Sequence, residues 1–452
     1  MKNEILEKIS NYKNIAIVGF GREGKSTYNF IRSGLKDIKL TIVDKLNAYD
    51  IMPDVKNDRN VDVIWGENYL DNLDQFDLIF KSPGVSFKNL DRDKLAEKIT
   101  SQIELVLEVN RKNIVGVTGT KGKSTTSSLI HHLIKKQGKK TCLVGNIGVP
   151  VLDEIDSYDD DTIVVMEMSC NQLEFVNVSP HIGVVINIFQ DHLDTIGTLD
   201  RYEKAKMNMF LYQKDDDFGI YDLDSETINR RLKNMSIKSN LFTVGFNKNS
   251  DCYLLDDKVY LDNKYLIDNK DIKRNILGDH NLKNIIIALK VISILGLDVN
   301  KALLDIESFY GLEHRMEKVG EFRGITFFND TIATIPEATI LACKTIDNLD
   351  TLIFGGQDRG IDYSGFVKFL DESNIRNFIC MPTTGYMLAD LFNKEKHNVY
   401  KIESLEDAVK CAYNVTASGK SCLLSPAGAS YEVYKNFEEK GRKYKEYIEL
   451  YK

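Results

Sequence analysis

The sequence predicts an α/β protein of several domains, each built on a mostly parallel sheet, and three observations carry that expectation. Residues 115–128, VGVTGTKGKSTTSS, run from a β-branched strand through a glycine-rich turn into a helix. Residues 15–24, IAIVGFGREG, repeat the arrangement, and a second apolar strand, Leu40–Asp44, follows them. Towards the C-terminus, Leu352-Ile-Phe-Gly355-Gly356 and Cys422-Leu-Leu-Ser425-Pro426 are apolar strands that each stop on a small-residue turn. Apolar runs alternating with helix-period segments are the pattern of parallel sheets covered by helices. At 452 residues the chain is too long for one ordinary core.

Hydrophobic residues make up 43% and charged residues 28%, both globular values, and no apolar run approaches the roughly 18 residues needed to cross a bilayer. The opening residues, MKNEILEKISNYKN, mix charges of both signs without an apolar segment, so no signal peptide is expected. A formal net charge of −8 argues against a general nucleic-acid surface. The seven cysteines stand singly with no CxxC pair, which points to reduced thiols in a cytoplasmic protein and against a zinc site.

The stretch at 115–128 is suited to a nucleotide triphosphate, with backbone N–H groups and the helix N-terminus turned towards phosphate. Lys123 is expected to reach the β- and γ-phosphates, and the Ser124 hydroxyl to sit on Mg²⁺. The general pattern GxxxxGK[ST] would put its first glycine at 117, where valine stands, with Gly116 and Gly119 flanking it. Thr118-Gly119-Thr120-Lys121-Gly122-Lys123-Ser124 after a strand still favours phosphate binding over a plain turn. Three further strands end on polar tips: 141–144 enters Gly145-Asn146-Ile147-Gly148, 162–167 ends on Glu167 before Ser169 and Gln172, and 182–187 runs into Asp191-His192. Ligands of open α/β sheets sit at the carboxyl ends of strands, so these tips are expected to converge on the phosphate turn as Mg²⁺ sites. Any one of these acids alone reads as a helix cap or a surface charge.

In the first domain Gly19, Gly21 and Gly24 form GxGxxG, and Asp44 lies about twenty positions beyond, the dinucleotide spacing. NAD is the obvious ligand of such a turn, and another diphosphate such as a nucleotide-sugar fits it also. A further strand within 77–84 runs into a turn at Gly84 that could close over the same crevice, and this domain ends near 102–110. By spacing alone Lys206 is a solvated helix lysine. Residues 218–272 read as a β-rich insertion. Asn281 and Asn284 share one helical face, suited to an adenine or to helix capping. A third α/β domain begins around 311–316, and 434–451 reads as a charged amphipathic helix with a solvated face.

Taken together these residues resemble the Mur ligases of peptidoglycan synthesis over almost the whole length and in the same order. The most specific marks are Thr118 to Ser124, Gly145-Asn-Ile-Gly148, Glu167-Met-Ser-Cys-Asn-Gln172, Asp191-His-Leu-Asp194 with Lys206 downstream, His314-Arg315, Asn329-Asp330, Gly355-Gly356 and Ser425-Pro-Ala-Gly-Ala-Ser430. The resemblance implies three domains: a Rossmann-like UDP-substrate domain at 1–106, a P-loop ATPase-like ATP-binding domain at 107–311, and a Rossmann-like amino-acid-binding domain at 312–452. It implies a cytoplasmic monomer that uses ATP and Mg²⁺, with two metal ions, to add D-glutamate to UDP-N-acetylmuramoyl-L-alanine through an acyl phosphate. The NAD reading of the first turn then gives way to a UDP-sugar.

Residue by residue, the resemblance places Lys123, Glu167, His192 and Lys206 in catalysis, and Ser124, Glu167, His192 and Lys206 on the metal, the lysine as a carbamate. It places ATP on Thr118 to Thr125 and on Asn281, Asn284, Arg315 and Asp330. The UDP-substrate falls to Gly21, Arg22, Glu23, Asp44, Gly84, Asn146, Ser169, Gln172 and His192, and the amino acid to Thr334, Arg359, Ser430, Tyr431 and Phe437. Closure of the third domain over the second is expected, to keep water from the acyl phosphate. One departure stands out: the family's Asp-Ser-Lys-Ala-Thr segment is here Asp330-Thr-Ile332-Ala-Thr334, with an apolar residue in place of lysine. A related branch of ligases that adds L-glutamate resembles this chain in the Gly21-Arg-Glu-Gly24 turn and the Ile332-Ala-Thr-Ile-Pro-Glu-Ala-Thr339 segment, so L-glutamate is an alternative amino acid. Further alternatives are a folylpolyglutamate-synthase-like ligase, against which the first glycine turn speaks, and a non-catalytic module that binds the UDP-precursor.

Overall fold

Short runs of β-branched and apolar residues become strands buried on both faces, as parallel sheets covered by helices require. In the computed structural model, which describes residues 1–276, 278–358, 360–429 and 433–452, twenty strands lie in three sheets among the described residues. The first sheet holds β1 (Ile15–Val18), β2 (Leu40–Asp44), β3 (Val61–Trp65), β4 (Leu78–Lys81) and β5 (Ile99–Thr100) in the order β3-β2-β1-β4-β5, all parallel. Strand order reverses between β1 and β4, which opens a crevice at their carboxyl ends.

The second sheet comprises β6 (Ile114–Thr118), β7 (Thr141–Gly145), β8 (Ile163–Glu167), β9 (Ile182–Val185), β10 (Phe218–Asp222), β11 (Asn240–Gly245), β12 (Cys252–Leu255), β13 (Lys258–Leu261) and β14 (Lys264–Asp268). Its order is β14-β13-β12-β11-β10-β9-β6-β8-β7, so β6 lies between β8 and β9 and its carboxyl end is again a switch point. Residues 218–272 are β-rich as expected, supplying β10 to β14, but they continue the main sheet beyond β9 rather than standing apart as an insertion. Buried apolar residues draw β10 and β11 into the main parallel sheet, Phe218 beside both Ile182 and Asn240, with helix Glu226–Leu232 between the two strands. Only β12 to β14 form an antiparallel meander, turned at Asp256-Asp257 and Asp262-Asn263, all four residues with positive φ.

The third sheet contains β15 (Glu317–Phe322), β16 (Ile325–Asn329), β17 (Leu349–Phe354), β18 (Asn377–Cys380), β19 (Asn398–Lys401) and β20 (Ser421–Leu424) in the order β15-β16-β20-β17-β18-β19. Only β15 is antiparallel to its neighbour. The final helix is Phe437–Tyr451, beginning three residues later than expected because the Asn436 side chain caps it by accepting from Glu439 N–H at 2.9 Å. It is more than a solvated face: Tyr444 and Ile448 enter a core with Val409 and Ala412.

The chain divides into two compact units, Met1–Lys273 with Asp279–Ile306, and Arg274–Gly278 with Glu307–Lys452. The first unit contains both the first and the second sheet. Helix Gln102–Asn110 joins them, since Ile103, Leu105, Val106 and Leu107 are all buried, in one cluster with Ile5 and Ile9 before them and Leu152 and Ile155 after. Among the described residues no helix is long and apolar enough to cross a membrane.

Candidate functional site

The turn after β6 leaves backbone donors at a helix end. Gly122, at φ +85°, caps the 14-residue helix Lys123–Lys136 and, lacking a side chain, supplies no capping bond to it. Asn284 lies against this turn, its Oδ1 3.2 Å from where a Cβ on Gly122 would stand, and its Nδ2 donates to Asn281 Oδ1 at 3.1 Å. The two asparagines thus sit beside the glycine turn at 119–122. The side chains of Thr118 and Thr120 face inward: Thr118 Oγ1 donates to Met168 O at 2.7 Å, and Thr120 Oγ1 lies 2.8 Å from Tyr202 Oη.

Asn187, just beyond β9, was not among the residues singled out from sequence. Its Oδ1 accepts from the N–H groups of Thr120 at 3.0 Å and Lys121 at 2.9 Å, while its Nδ2 donates to Lys121 O at 3.1 Å. The only sequence signal was its place at the end of an apolar strand.

Two lysines meet at this turn. Lys123 Nζ donates to Gly119 O at 2.8 Å and Thr120 O at 3.0 Å, and Lys206 Nζ, from helix Leu199–Leu211, donates to the same Gly119 O at 2.8 Å. Lys206 is 1% exposed, so it is not the solvated lysine that spacing alone suggested. Burial, and then the charge of Lys123, lower its pKa from 10.5 to about 7.

Glu167 ends β8 fully buried. Its Oε1 accepts from Asn146 Nδ2 at 2.7 Å, and its Oε2 has no hydrogen-bond partner among the described residues. The Asn146 turn is set by Gly145 at φ +101°, where a Cβ would fall 2.3 Å from Glu167 O. An unpartnered buried carboxylate oxygen is costly without a cation. A hard cation taking oxygen ligands fits this acceptor. Among the described residues no group of three His, Cys, Asp or Glu is placed to hold a metal, and the expected set contains only two residues of those types. His192 has φ +53° and a side chain 58% exposed, and opens the short helix Leu193–Ile196. Asp191 beside it connects this tip to the phosphate turn, its Oδ2 lying 3.9 Å from both His192 Nε2 and Lys121 Nζ.

The glycine turn of the first sheet is hydrogen-bonded to turns of the second sheet within the same unit. Gly24 must lack a side chain, because a Cβ would sit 2.0 Å from Gly19 O. Gly21 and Gly84 have open space where a Cβ would be. Asp44 braces the glycine turn by accepting from Phe20 N–H, and accepts from Leu46 N–H at 2.8 Å. Arg22 donates to Gly148 O, and Gln172 Nε2 donates to Glu23 Oε2 at 3.3 Å while completing a capping box with Ser169. Ser86 donates to Thr195 O, and Lys88 Nζ to Asp194 O at 2.6 Å. These bonds tie the glycine turn and the Ser86–Lys88 segment to the 145–148, 169–172 and 192–195 turns.

In the second unit Asp330 is buried at the end of β16. Met316 N–H and Ser425 Oγ donate to its two oxygens at 3.1 and 2.9 Å, and burial raises its pKa to about 6. Arg315 is exposed next to His314, whose ring is buried edge-on to Phe437. Thr334 is half-buried. The remaining expected amino-acid contacts, Arg359, Ser430 and Tyr431, lie outside the described residues.

Residues 13–106 match the Mur ligase MurD-like N-terminal domain, 117–292 the Mur ligase middle domain, and 314–428 the Mur ligase glutamate ligase domain. The chain belongs to the Mur ligase family. This Mur ligase is similar to the UDP-N-acetylmuramoylalanine–D-glutamate ligase of Clostridium kluyveri, with 33% identity over 450 residues and 96% of each chain covered. It is likewise similar to the enzyme of that name from Acetivibrio thermocellus, at 31% identity over 99% of this chain and 98% of the relative. In fold it is similar to the MurF ligase of Thermotoga maritima solved with ADP, with a TM-score of 0.58 at 17% identity, covering 97% of this chain and 95% of that one.

Proposed function

We propose that this protein is an ATP-dependent acid–amino-acid ligase that joins D-glutamate to UDP-N-acetylmuramoyl-L-alanine in the synthesis of peptidoglycan precursors. The observation that carries the proposal is the placement, within one unit, of a phosphate turn with two lysines and a buried acid beside a diphosphate-type glycine crevice. Arg22 and Glu23 of that crevice touch the turns that also carry Asn146 and follow Glu167.

In this reading domain 1–106 holds the UDP-substrate, domain 107–311 holds ATP, and domain 312–452 brings the amine through Thr334, Arg359, Ser430, Tyr431 and Phe437. Lys123 moves from the carbonyls of Gly119 and Thr120 to the β- and γ-phosphates, and the N–H groups of helix Lys123–Lys136 meet phosphate oxygen. Asn281, Asn284, Arg315 and Asp330 hold the remainder of the nucleotide. The substrate carboxylate attacks the γ-phosphorus in line, forming an acyl phosphate and releasing ADP, a step that depends on positioning and charge more than on covalent help. The glutamate amine then attacks the acyl carbon, and the tetrahedral species collapses to the amide and phosphate.

The amine of Lys206, its pKa lowered to about 7 by burial, can in its neutral form take up CO₂ and lose a proton, becoming an anionic carbamate. Ser124, Glu167, His192 and that carbamate would hold Mg²⁺, which when bound supplies charge neutralisation at the phosphoryl group. The protein works in the cytoplasm as a monomer in this reading.

Phosphate release with ATP, Mg²⁺ and UDP-N-acetylmuramoyl-L-alanine, comparing the two glutamate isomers, tests the proposal. Release with D-glutamate is expected. A second reading, L-glutamate, is supported by the Gly21-Arg-Glu-Gly24 turn and the Ile332 to Thr339 segment, which resemble those of the related L-glutamate-adding branch, and release with L-glutamate alone would establish it. Release with neither isomer would remove the ligase reading.

A further inference from the structure

We infer that a cavity of about 520 Å³ at the amino ends of β6, β9 and β10 binds a phosphorylated, ring-bearing ligand of the size of a nucleoside monophosphate. The inference is independent of the ligase reading, since the cavity uses no residue of the phosphate turn or of the first glycine turn.

Asn110 and Arg111 precede β6, Val178 precedes β9, and Tyr212 and Lys214 precede β10, and all five line the cavity. The three strands are parallel, so their amino ends share one edge of the sheet. The turn at 119–122 lies past the other end of β6, a five-residue strand that spans about 16 Å. Both places can be filled at once.

The cavity holds a buried donor without an acceptor. Asn110 is 9% exposed, and its Nδ2 has no hydrogen-bond partner among the described residues. Asn113 Nδ2 donates to Asp160 O at 3.1 Å and to Asn110 Oδ1 at 3.2 Å, so turning the Asn110 amide over would set two donors face to face. Its orientation is therefore fixed. A buried N–H without an acceptor is costly, and a ligand rich in oxygen supplies one.

The neighbouring charges have the matching sign. Lys8, Arg111, Lys112 and Lys214 line the cavity against a single acid, Glu108. Arg111 is held by buried Asp217, whereas Lys8 and Lys112 pair with Glu108 and Asp216 in exposed contacts that restrain them little. No ion pair engages Lys214 among the described residues. A phosphate group accepting from Asn110 Nδ2 would draw Lys112 and Lys214 onto its remaining oxygens. Val109, Val178 and the ring of Tyr212 add apolar surface, which a bare ion would leave uncovered and a ring would cover.

Acetylation of the full-length protein by a limiting dose of acetic anhydride, quantified lysine by lysine through peptide mass spectrometry, tests this. With uridine 5′-monophosphate as the probe, labelling of Lys112 and Lys214 should fall at least about threefold. Lys39, exposed at the start of β2, should be labelled as before. Inorganic pyrophosphate should protect the same two lysines only at about tenfold higher concentration, because it covers no apolar surface. Asn110→Leu, an isostere without the amide, should raise the half-protecting concentration of the nucleotide about tenfold. Absence of protection by the nucleotide would overturn the inference, and so would equal protection by potassium chloride at matched ionic strength, which is screening alone. Pyrophosphate protecting at equal or lower concentration would overturn the ring-bearing class. An unchanged half-protecting concentration in a folded Asn110→Leu would remove the site. If that variant does not fold, Lys214→Glu read at Lys112 decides: protection should be lost, and its persistence would overturn the inference.

Discussion

Lys123 and Lys206 donate to one carbonyl oxygen, that of Gly119, each at 2.8 Å. Two full positive charges so close in a buried site oppose one another, and the deeper group, Lys206, is the one whose proton is loosened. The same arrangement that costs stability leaves an amine able to react with CO₂.

Lys206→Met should accordingly abolish ligase activity while stabilising the fold in CO₂-free buffer near neutral pH, by about 1–3 kcal/mol. Between about 7 and 10.5 the unfolded chain binds the lysine proton and the folded chain does not, so wild-type stability gains from this group as pH rises through that window. The methionine variant loses that slope. Urea unfolding at several pH values, with and without bicarbonate, checks both statements. Lys206→Ala should recover part of its activity when a short-chain carboxylic acid is added, and insensitivity of activity to this substitution would remove the lysine from the metal side.

Asn187→Ala removes the clamp on the N–H groups of Thr120 and Lys121. A loop displaced by about 1 Å costs on the order of a hundredfold, so kcat/KM for ATP should fall about 10- to 100-fold with little change in the KM of the UDP-substrate. Steady-state kinetics with each substrate varied in turn would detect an equal loss for both, which would make the asparagine merely structural.

Gly145→Ala places a methyl group 2.3 Å from Glu167 O at a backbone φ of +101°. The backbone must shift, at about 2–4 kcal/mol, and Glu167 shifts with it. Asn146→Ala leaves the conformation alone and strips the donor from Glu167 Oε1, which costs about 1–3 kcal/mol. Denaturant midpoints rank the two, and the glycine variant should be the worse.

Asp330→Asn tests a buried acid in the second unit. The Asp330 pKa is raised from 3.8 to about 6, so the folded form binds the proton more tightly and wild-type stability falls as pH rises through that window. The asparagine variant should lack this fall, worth on the order of 2–3 kcal/mol when complete. Thermal melts between about pH 4 and about pH 7 should diverge for the two proteins as pH rises.

The glycine turns at 19–24 and 119–122, the strands that feed them and the acid at 167 were legible in the sequence because each depends on residues within a few positions of one another. Spacing misjudged Lys206, which is buried on a helix that packs against the sheet, and it did not show that the strands of 218–272 continue the main sheet through the pairing of β10 with β9. The departure at Ile332 was visible at once, since it is a change of residue type within a contiguous motif.

The chain's own order of residues thus determined the three α/β modules, the phosphate turn and the kind of chemistry that its lysines and acids can support, since these follow from local periodicity and from φ angles open to glycine. Tertiary structure alone decided which groups meet. Asn187 reaches Lys121 across 66 positions and Gln172 reaches Glu23 across 149. Protonation was decided there too, because a pKa depends on water excluded by distant segments, and no local pattern records that exclusion.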